Sequence, residues 1–220
     1  MTNRTLSVAD AIRTRRTIRH YRPEPVADAV LDELLELAVE APSSWNLQDR
    51  SVVVVRSEEG RGALARAAGG QPQPQEAPVV LVFVAESEAW RGDRTDIYQQ
   101  AREVGAWNEE FVAGFAAESL AFQQGLAARG LLREYAVKDA VIAATYMMLA
   151  ATEAGLASSP MNGWDEVEVK KAIGIDGRDD LAIALLLALG HPAEQRPHPG
   201  RRSADRNVFG EVYGRGRELG

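Results

Sequence analysis

A cluster of polar residues near the N-terminus has the chemistry of an anion-binding site. Its members are Arg15, Arg16, Thr17 and Arg19. A guanidinium group offers a planar fork of donors that matches phosphate oxygens, and threonine adds a hydroxyl donor. Arginines this close in sequence repel one another, and a bound anion would relieve that repulsion. The alternative is a solvated basic patch, or surface ion pairs with Glu24 and Asp28.

Two further segments carry groups that could contact a flat polar ligand. The first contains Pro42, Ser43, Ser44, Trp45 and Asn46, and the second contains Pro160, Met161, Asn162 and Gly163. The hydroxyl and amide groups of the first can hydrogen-bond a polar heterocycle. The glycine of the second lets the backbone approach a ligand closely, with an N–H group directed at it. The alternative for each segment is an ordinary connecting loop.

Aromatic residues recur at a spacing of four in Trp107, Phe111 and Phe115, which predicts a helix there. Trp107 and Phe111 could stack on an aromatic substrate, and the stripe could also cover a flat cofactor as a lid. The alternative is that these side chains pack in the core or at an interface.

Composition argues against several other kinds of site. The 220 residues carry a formal net charge of −7, whereas nucleic-acid binding needs a net basic face. Cysteine is absent and the three histidines follow no zinc-ligand spacing, so we expect neither thiol chemistry nor a metal. No glycine-rich dinucleotide motif or P-loop lies between a predicted strand and helix. We therefore expect any redox activity to come from a bound organic cofactor, and we assign no catalytic side chain.

The sequence also predicts a cytoplasmic protein. Residues 1–10 contain no apolar run that resembles a signal peptide. No stretch reaches the roughly 18 apolar residues that a membrane-spanning helix needs, so we expect no membrane association.

Helices and strands must position these groups. Periodicity and capping residues predict helices over residues 8–14, 27–40, 58–68 and 137–154, and another that begins at Asp165. Continuous apolar runs predict buried strands over residues 52–55, 79–84 and 181–189. Helix 137–154 is apolar nearly all round, so it should be buried in the core or in a subunit interface.

The chain ends in a segment that differs from the rest. Residues 191–220 are rich in proline, glycine and arginine. They have little apolar surface with which to fold alone, so they are either disordered or an arm that packs on another surface. We expect residues 1–195 to form one domain and residues 196–220 to form the arm.

These segments, taken in order, resemble the nitroreductase family of flavoproteins over about residues 7–208. Residues 11–21 resemble the first family signature, in which basic and hydroxyl residues bind the phosphate and ribityl chain of FMN. The resemblance assigns that role to Arg15, Arg16, Thr17 and Arg19. Residues 41–48 resemble the second signature, which reaches the flavin from the partner subunit.

The remaining two motifs of the family lie near the C-terminus. Residues 160–165 resemble the third signature, whose backbone amides face the N5 and O4 edge of the flavin. Residues 190–192, followed by Arg201 and Arg202, resemble the family's ending, in which a basic residue returns to the phosphate. Arg201 is the first candidate for that role and Arg202 its alternate.

The chain departs from the family pattern in three places. The second signature usually continues Gln-Pro-Trp, and here it reads Gln48-Asp49-Arg50. An asparagine that often reads the flavin pyrimidine in the family is missing. The matching stretch of this chain contains Gln71 and Gln73, and the resemblance makes these two residues the candidates for that role. Many relatives have glutamate where this chain has Asn162.

The resemblance implies an α+β fold with a mixed, mainly antiparallel sheet flanked by helices. It also implies an intertwined homodimer with FMN at the interface, in which the C-terminal arm is exchanged between subunits. The implied reaction has two steps. NADH or NADPH delivers hydride to flavin N5, and an oxidised acceptor, such as a quinone, nitroaromatic compound or enone, then takes the electrons from the same face.

Other functions stay open at this point. A flavin-binding storage or sensing protein would use the same cofactor contacts without turnover. A different flavin reaction on the same fold is another alternative, and a cofactor-free interaction protein built around a helical dimer is a third.

Overall fold

A computed structural model describes residues 6–216. Its helices are α1 (Val8–Thr14), α2 (Asp28–Val39), α3 (Glu58–Ala67), α4 (Gln73–Glu76), α5 (Thr95–Glu103), α6 (Glu109–Ala128), α7 (Leu132–Glu153), α8 (Glu166–Ala172) and α9 (Ala204–Asn207). Its strands are β1 (Arg50–Val55), β2 (Val79–Glu86), β3 (Ala157–Met161) and β4 (Leu181–Gly190). The fold is therefore α+β, as the sequence predicts.

The four strands form one sheet in the order β1-β2-β4-β3. Each neighbouring pair is antiparallel. Thr17 and Ser158 add an isolated parallel bridge at the β3 edge, so the expectation of a mixed, mainly antiparallel sheet is confirmed. The central strands β2 and β4 are almost entirely buried.

Helices cover both faces of the sheet, which explains why β2 is apolar from Val79 to Ala85. Its side chains alternate between two clusters, because successive residues of a strand point to opposite faces. Leu81 and Phe83 pack in the cluster formed with α2 and α7. Val80 and Val82 pack in the cluster formed with α3 and α8.

Capping side chains define where several helices begin. Ser7 accepts a hydrogen bond from the backbone of Asp10 at the start of α1. Asp165 accepts one from Glu168 at the start of α8. Both helix starts are as predicted from the capping residues in the sequence.

Some local predictions are wrong. Residues 52–55 lie in a strand as predicted, but β1 is an edge strand with no buried position, so they are not a buried strand. Trp107 precedes the N-cap of α6 and therefore lies outside that helix. The stretch expected as a loop around Gln71 contains the short helix α4, which begins directly after Pro72. β3 is a further strand that the sequence does not indicate.

The C-terminal segment leaves the sheet after β4. Beyond Arg201 it contains α9 and a bridge between Phe209 and Gly216. Val212 and Tyr213 are exposed, and Tyr213 retains 94% of its accessible surface. The segment thus presents apolar side chains to its surroundings.

Among residues 6–216, no helix combines the length and the apolar character that crossing a membrane requires.

Candidate functional site

A cavity of about 430 Å³ lies beside the N-terminal basic cluster. It is lined by Arg15, Arg16, Thr17, Arg19, Arg196, Pro197, His198, Pro199 and Arg201. The four predicted N-terminal residues and Arg201 therefore share one space, whereas Arg202 is exposed and does not line it. Five arginines make this cavity strongly cationic, although the chain as a whole has a net charge of −7.

The surroundings of Arg15 in this cavity favour the binding of an anion. Its Nη1 atom is buried without a hydrogen-bond partner among residues 6–216. Burial, followed by the positive charges of Arg201 and Arg16, lowers the pKa of Arg15. A bound anion would counter both effects, because it supplies an acceptor and an opposite charge.

Glu24 and Asp28, the two carboxylates considered as ion-pair partners, do not neutralise the basic cluster. Glu24 pairs with Arg22 at 3.3 Å, and Asp28 pairs with Arg56. The alternative of surface ion pairs between the cluster and these two carboxylates is therefore wrong.

The segment after β4 hydrogen-bonds to the N-terminal basic cluster, and this contact brings residues 196–201 to the cavity. Glu194 accepts hydrogen bonds from the backbone N–H groups of Arg19 at 2.7 Å and His20 at 3.3 Å. Its other carboxylate oxygen pairs with Arg196 at 2.8 Å. The bond from Arg19 is the main reason that the pKa of Glu194 is lowered. These contacts place residues 196–201 along the cavity wall.

β3 connects the basic cluster to the third predicted segment. Ile18 donates a backbone hydrogen bond to Ser158 at 3.3 Å. Asn162 follows four residues later along an extended chain, which corresponds to roughly 13 Å at the usual rise of a strand. Gly163 has a φ of 81°, a conformation that favours glycine. One edge of the sheet therefore presents the cationic cavity at one end and a glycine turn at the other.

The two glutamine candidates occupy different environments. Gln71 donates from Nε2 to the carbonyl of Asn162 at 3.0 Å, so it lies at the third segment. Gln73 is 4% exposed, and its Oε1 atom has no hydrogen-bond partner among residues 6–216. Of the two glutamines, Gln71 is the one whose side chain hydrogen-bonds another predicted site residue among residues 6–216.

The second predicted segment forms a strained turn before β1. Trp45, Asn46 and Gln48 have φ values of 55°, 49° and 56°, in the left-handed region that residues other than glycine rarely adopt. The carboxylate of Asp139 in α7 accepts from the backbone N–H of Ser44 at 2.9 Å. Such strain persists only where surrounding contacts hold it, and it is concentrated at functional sites.

The predicted substrate residues join an aromatic cluster with this turn. Trp107 lies 4.6 Å from Phe115 and 5.3 Å from Phe111, measured between ring centroids. Trp45 lies 5.1 Å from Phe115 and 5.6 Å from Phe122. Phe111 is 49% exposed, so part of the cluster is open for contact with another molecule.

Within one chain, the turn and the aromatic cluster lie far from the basic cavity. β1 and β3 are opposite edges of the sheet, which places them roughly 14 Å apart across three strand spacings. The start of β1 is level with Ala182 of β4, whereas Ser158 is level with Leu189, an offset of roughly 23 Å along the strands. The turn and aromatic cluster therefore lie at the diagonal opposite of the basic cavity.

Comparison with known proteins identifies the family. The profile of the nitroreductase family matches residues 12–191. The chain is 38% identical over 196 residues to the NADH dehydrogenase of Thermus thermophilus, covering 87% of this chain and 91% of that protein. The chain belongs to the nitroreductase family.

Two further similarities concern flavin proteins. The FMN reductase [NAD(P)H] of Bacillus subtilis is 32% identical to this nitroreductase-family chain over 121 residues, covering 55% of this chain and 49% of that protein. A structure from Exiguobacterium sibiricum, solved in complex with FMN, is 25% identical. It has a TM-score of 0.77 and covers 90% of this chain and 93% of its own.

Sequence reasoning missed several residues of the candidate nitroreductase site. Arg196 and His198 line the cavity, and Glu194 fastens the segment that carries them. Loss of hydration, followed by the positive charge of Arg16, lowers the pKa of His198. The arginines and prolines between residues 196 and 201 are the only sequence signal for this wall, and they do not indicate where the segment docks.

Proposed function

We propose that this nitroreductase-family protein is an FMN-dependent oxidoreductase that uses NADH or NADPH. The observation that carries the proposal is the cavity with five arginines in an acidic chain, together with the buried, unpartnered nitrogen of Arg15. A phosphate group would bind well to these arginines, because it accepts several charge-assisted hydrogen bonds. The names of the relatives support the choice of FMN and of a nicotinamide donor.

The residues at the β3 edge would hold FMN from its phosphate to its ring. Arg15, Arg16, Thr17, Arg19 and Arg201 are proposed for the phosphate end. Pro160, Met161, Asn162, Gly163 and Gln71 are proposed for the ring, with the backbone of the glycine turn facing its edge. The bound FMN would supply the hydride chemistry in a two-step, ping-pong reaction between NAD(P)H and an oxidised acceptor. We also propose a cytoplasmic location, where both nicotinamide donors are available.

A second copy of the chain would complete the site. Because one chain holds the turn of residues 42–46 at the far corner of the sheet, we propose that this turn reaches the FMN of the partner in a homodimer. The exposed apolar side chains on α7 and on the C-terminal segment support an interface, among them Tyr146 and Tyr213. We propose that residues 196–220 form the arm that packs on the partner.

The aromatic cluster is the proposed acceptor side of the site. Replacing Trp107 by alanine removes a ring in contact with Phe111 and Phe115. We expect the KM for a quinone or nitroaromatic acceptor to rise about three- to tenfold, as the loss of one aromatic contact implies. Unchanged steady-state constants and an unchanged acceptor profile would remove Trp107 from the site.

Steady-state oxidation of NADH and NADPH with a quinone acceptor tests the proposed function. Parallel lines in double-reciprocal plots at several acceptor concentrations are expected for a two-step reaction through one cofactor. A protein that binds FMN but shows no turnover with either donor would support a storage or sensing role and contradict an oxidoreductase.

A further inference from the structure

A buried ion pair fastens the exit of the strained turn to the segment before α5. Arg94 donates from Nη2 to Asp49 at 2.5 Å, and the two side chains are 14% and 10% exposed. Arg94 also donates from Nη1 to the carbonyl of Leu47 at 2.9 Å. One guanidinium group therefore bonds both the backbone of the turn and the residue that follows it.

Arg50 holds the same turn from its other end. Its guanidinium group donates to the carbonyl oxygens of Val39 at 3.0 Å and Pro42 at 3.3 Å, and also to that of Ala41. Val39 is the last residue of α2, so its carbonyl lacks a partner within the helix. The entry to the turn is thus attached to α2. Its exit is attached to β2, because the backbone carbonyl of Asp49 accepts from the backbone N–H of Glu86 at 3.0 Å. The Arg94–Asp49 pair adds a link between this exit and the segment before α5.

The segment that carries Arg94 leads directly into the aromatic cluster. Arg94 is the residue before α5, and Tyr98 in α5 lies 6.4 Å from Trp107 between ring centroids. The adjoining helix α6 is weakly anchored, since only Ser119, Gln123 and Leu126 of its 20 residues are buried. A cavity of about 210 Å³ also separates Arg94 from α6. Trp45 links the turn to Phe115 and Phe122 of α6, whereas the cavity leaves the segment before α5 without close packing against α6 at this point.

We propose that Arg94 and Asp49 are positioning residues that set where α5 and Trp107 lie relative to the flavin-binding turn. The inference rests on the proposed function, and it adds a determinant of acceptor selectivity to it. Asp49 stands where the family signature usually has proline, so the pair is a feature of this chain within the second signature. Neither residue needs to touch FMN or the acceptor.

The test compares Arg94→Gln, Asp49→Asn and the double variant with a matched control, Arg91→Gln. Arg91 lies three residues away and pairs with Glu88 at the surface, so its loss removes an exposed ion pair from the same segment. In the FMN-loaded proteins, kcat/KM is measured for a one-ring and a two-ring quinone with the same donor. We expect each single variant to change the ratio of the two values at least about fivefold, because the acceptor pocket changes shape. A purely structural role would lower both values in parallel.

The double variant provides the rescue. Each single variant leaves one buried charge without its partner, whereas the double variant leaves a pair of neutral amides. We therefore compare the logarithm of the ratio of the two kcat/KM values. In the double variant this logarithm should lie at least half-way back from the single-variant value to the wild-type value. Additive single effects would contradict a coupled pair.

Hydrogen exchange of the same proteins without acceptor separates this inference from the proposed function. Arg94→Gln should lower the protection of peptides covering residues 43–49 and 95–115 together, by about tenfold or more. Arg91→Gln should leave both unchanged. If the wild type neither binds FMN nor oxidises NAD(P)H, the proposed function fails while the exchange result still decides the role of the pair. Wild-type selectivity and wild-type protection in Arg94→Gln would overturn the inference.

Discussion

Arg15 combines the two properties that distinguish a binding arginine from a surface arginine. It lines a cavity with four other arginines, and one of its nitrogens is buried without a partner among residues 6–216. Surface charges relax into water, whereas this group has lost part of its hydration and gained only neighbours of the same sign. This arrangement is unfavourable in the protein without ligand. A bound phosphate should relieve it, and that relief should increase the affinity for phosphate.

Arg15→Ala and Arg201→Ala should each weaken FMN binding. Loss of a charge-assisted hydrogen bond to phosphate costs about 1.5–3 kcal/mol, which corresponds to about a ten- to hundredfold increase in Kd. Flavin fluorescence titration measures the change. Arg202→Ala is the matched control, because Arg202 is adjacent in sequence but outside the cavity. Equal Kd values for all three variants and the wild type would refute the phosphate assignment.

Asp49 predicts a defined pH dependence of stability. Burial raises the pKa of Asp49 to about 6, with Arg94 opposing that rise. A folded-state pKa above the unfolded one adds stability that is complete at low pH and is lost as pH rises through the folded pKa. The free energy of unfolding of the wild type, minus that of Asp49→Asn, should therefore fall by at most about 3 kcal/mol between pH 4 and 7.

Urea denaturation of both proteins at several pH values measures this difference. Other titrating groups largely cancel because the two proteins share them. A difference that stays constant from pH 4 to 7 would mean that the pKa of Asp49 is not raised in the folded protein.

The candidate site is only partly readable from residue types. Arg15, Arg16 and Arg19 stand out because three cations within five residues repel one another, and a bound anion would relieve that repulsion. Arg94 and Asp49 lie 45 positions apart, and nothing in the sequence signals that they meet. The same holds for Asp139 and Ser44, which are brought together by the packing of α7 against the turn.

At the scale of elements, Glu194 links the end of β4 to the basic cluster. Glu194→Ala removes the acceptor for the backbone of Arg19 and the partner of Arg196, so the cavity wall should loosen. We expect FMN affinity to fall about fivefold, in line with the loss of about 1 kcal/mol of hydrogen bonding. Glu194→Gln retains an acceptor oxygen and should lose less. An alanine variant that binds FMN like the wild type would show that the tail docks without this carboxylate.

The elements themselves could be predicted where periodicity or burial is strong. β4 and residues 79–85 of β2 are apolar because helices cover both faces of the sheet, and such runs are conspicuous. β3 reads Ala-Ser-Ser-Pro-Met and lacks the β-branched residues that favour strands. It forms because β4 offers a free edge, which is a long-range contact that no local pattern reveals.

In the edge strand β1, the local pattern predicts more burial than the strand has. Its four valines suggested burial on both faces, yet its place at the edge leaves Val54 37% exposed. Strand order depends on the whole sheet, so exposure of a β-branched run cannot be assigned from the run alone.

At the scale of the whole molecule, the separation of the two half-sites predicts complementation between subunits. Arg15→Ala disables the cavity, and Asn46→Ala alters the turn at the opposite corner. If each site combines the cavity of one subunit with the turn of its partner, a mixed dimer contains one intact site. Refolding the two variants together should restore roughly a quarter of the wild-type sites, because half of the dimers are mixed.

Activity or FMN content of the co-refolded mixture is compared with that of each variant refolded alone. Recovery only in the mixture supports a shared site. If mixing gives the average of the two variants, the turn and the cavity do not belong to one interface site, although FMN could still bind to a single chain.

The most direct test of the central claim is an anaerobic spectral titration of the purified protein. We expect the absorption bands of an oxidised flavin, released on denaturation as FMN at about one per chain. Addition of NADH or NADPH should bleach these bands, and a quinone should restore them. A correctly folded, colourless protein that takes up no added FMN would contradict the proposal that this protein is an FMN-dependent oxidoreductase.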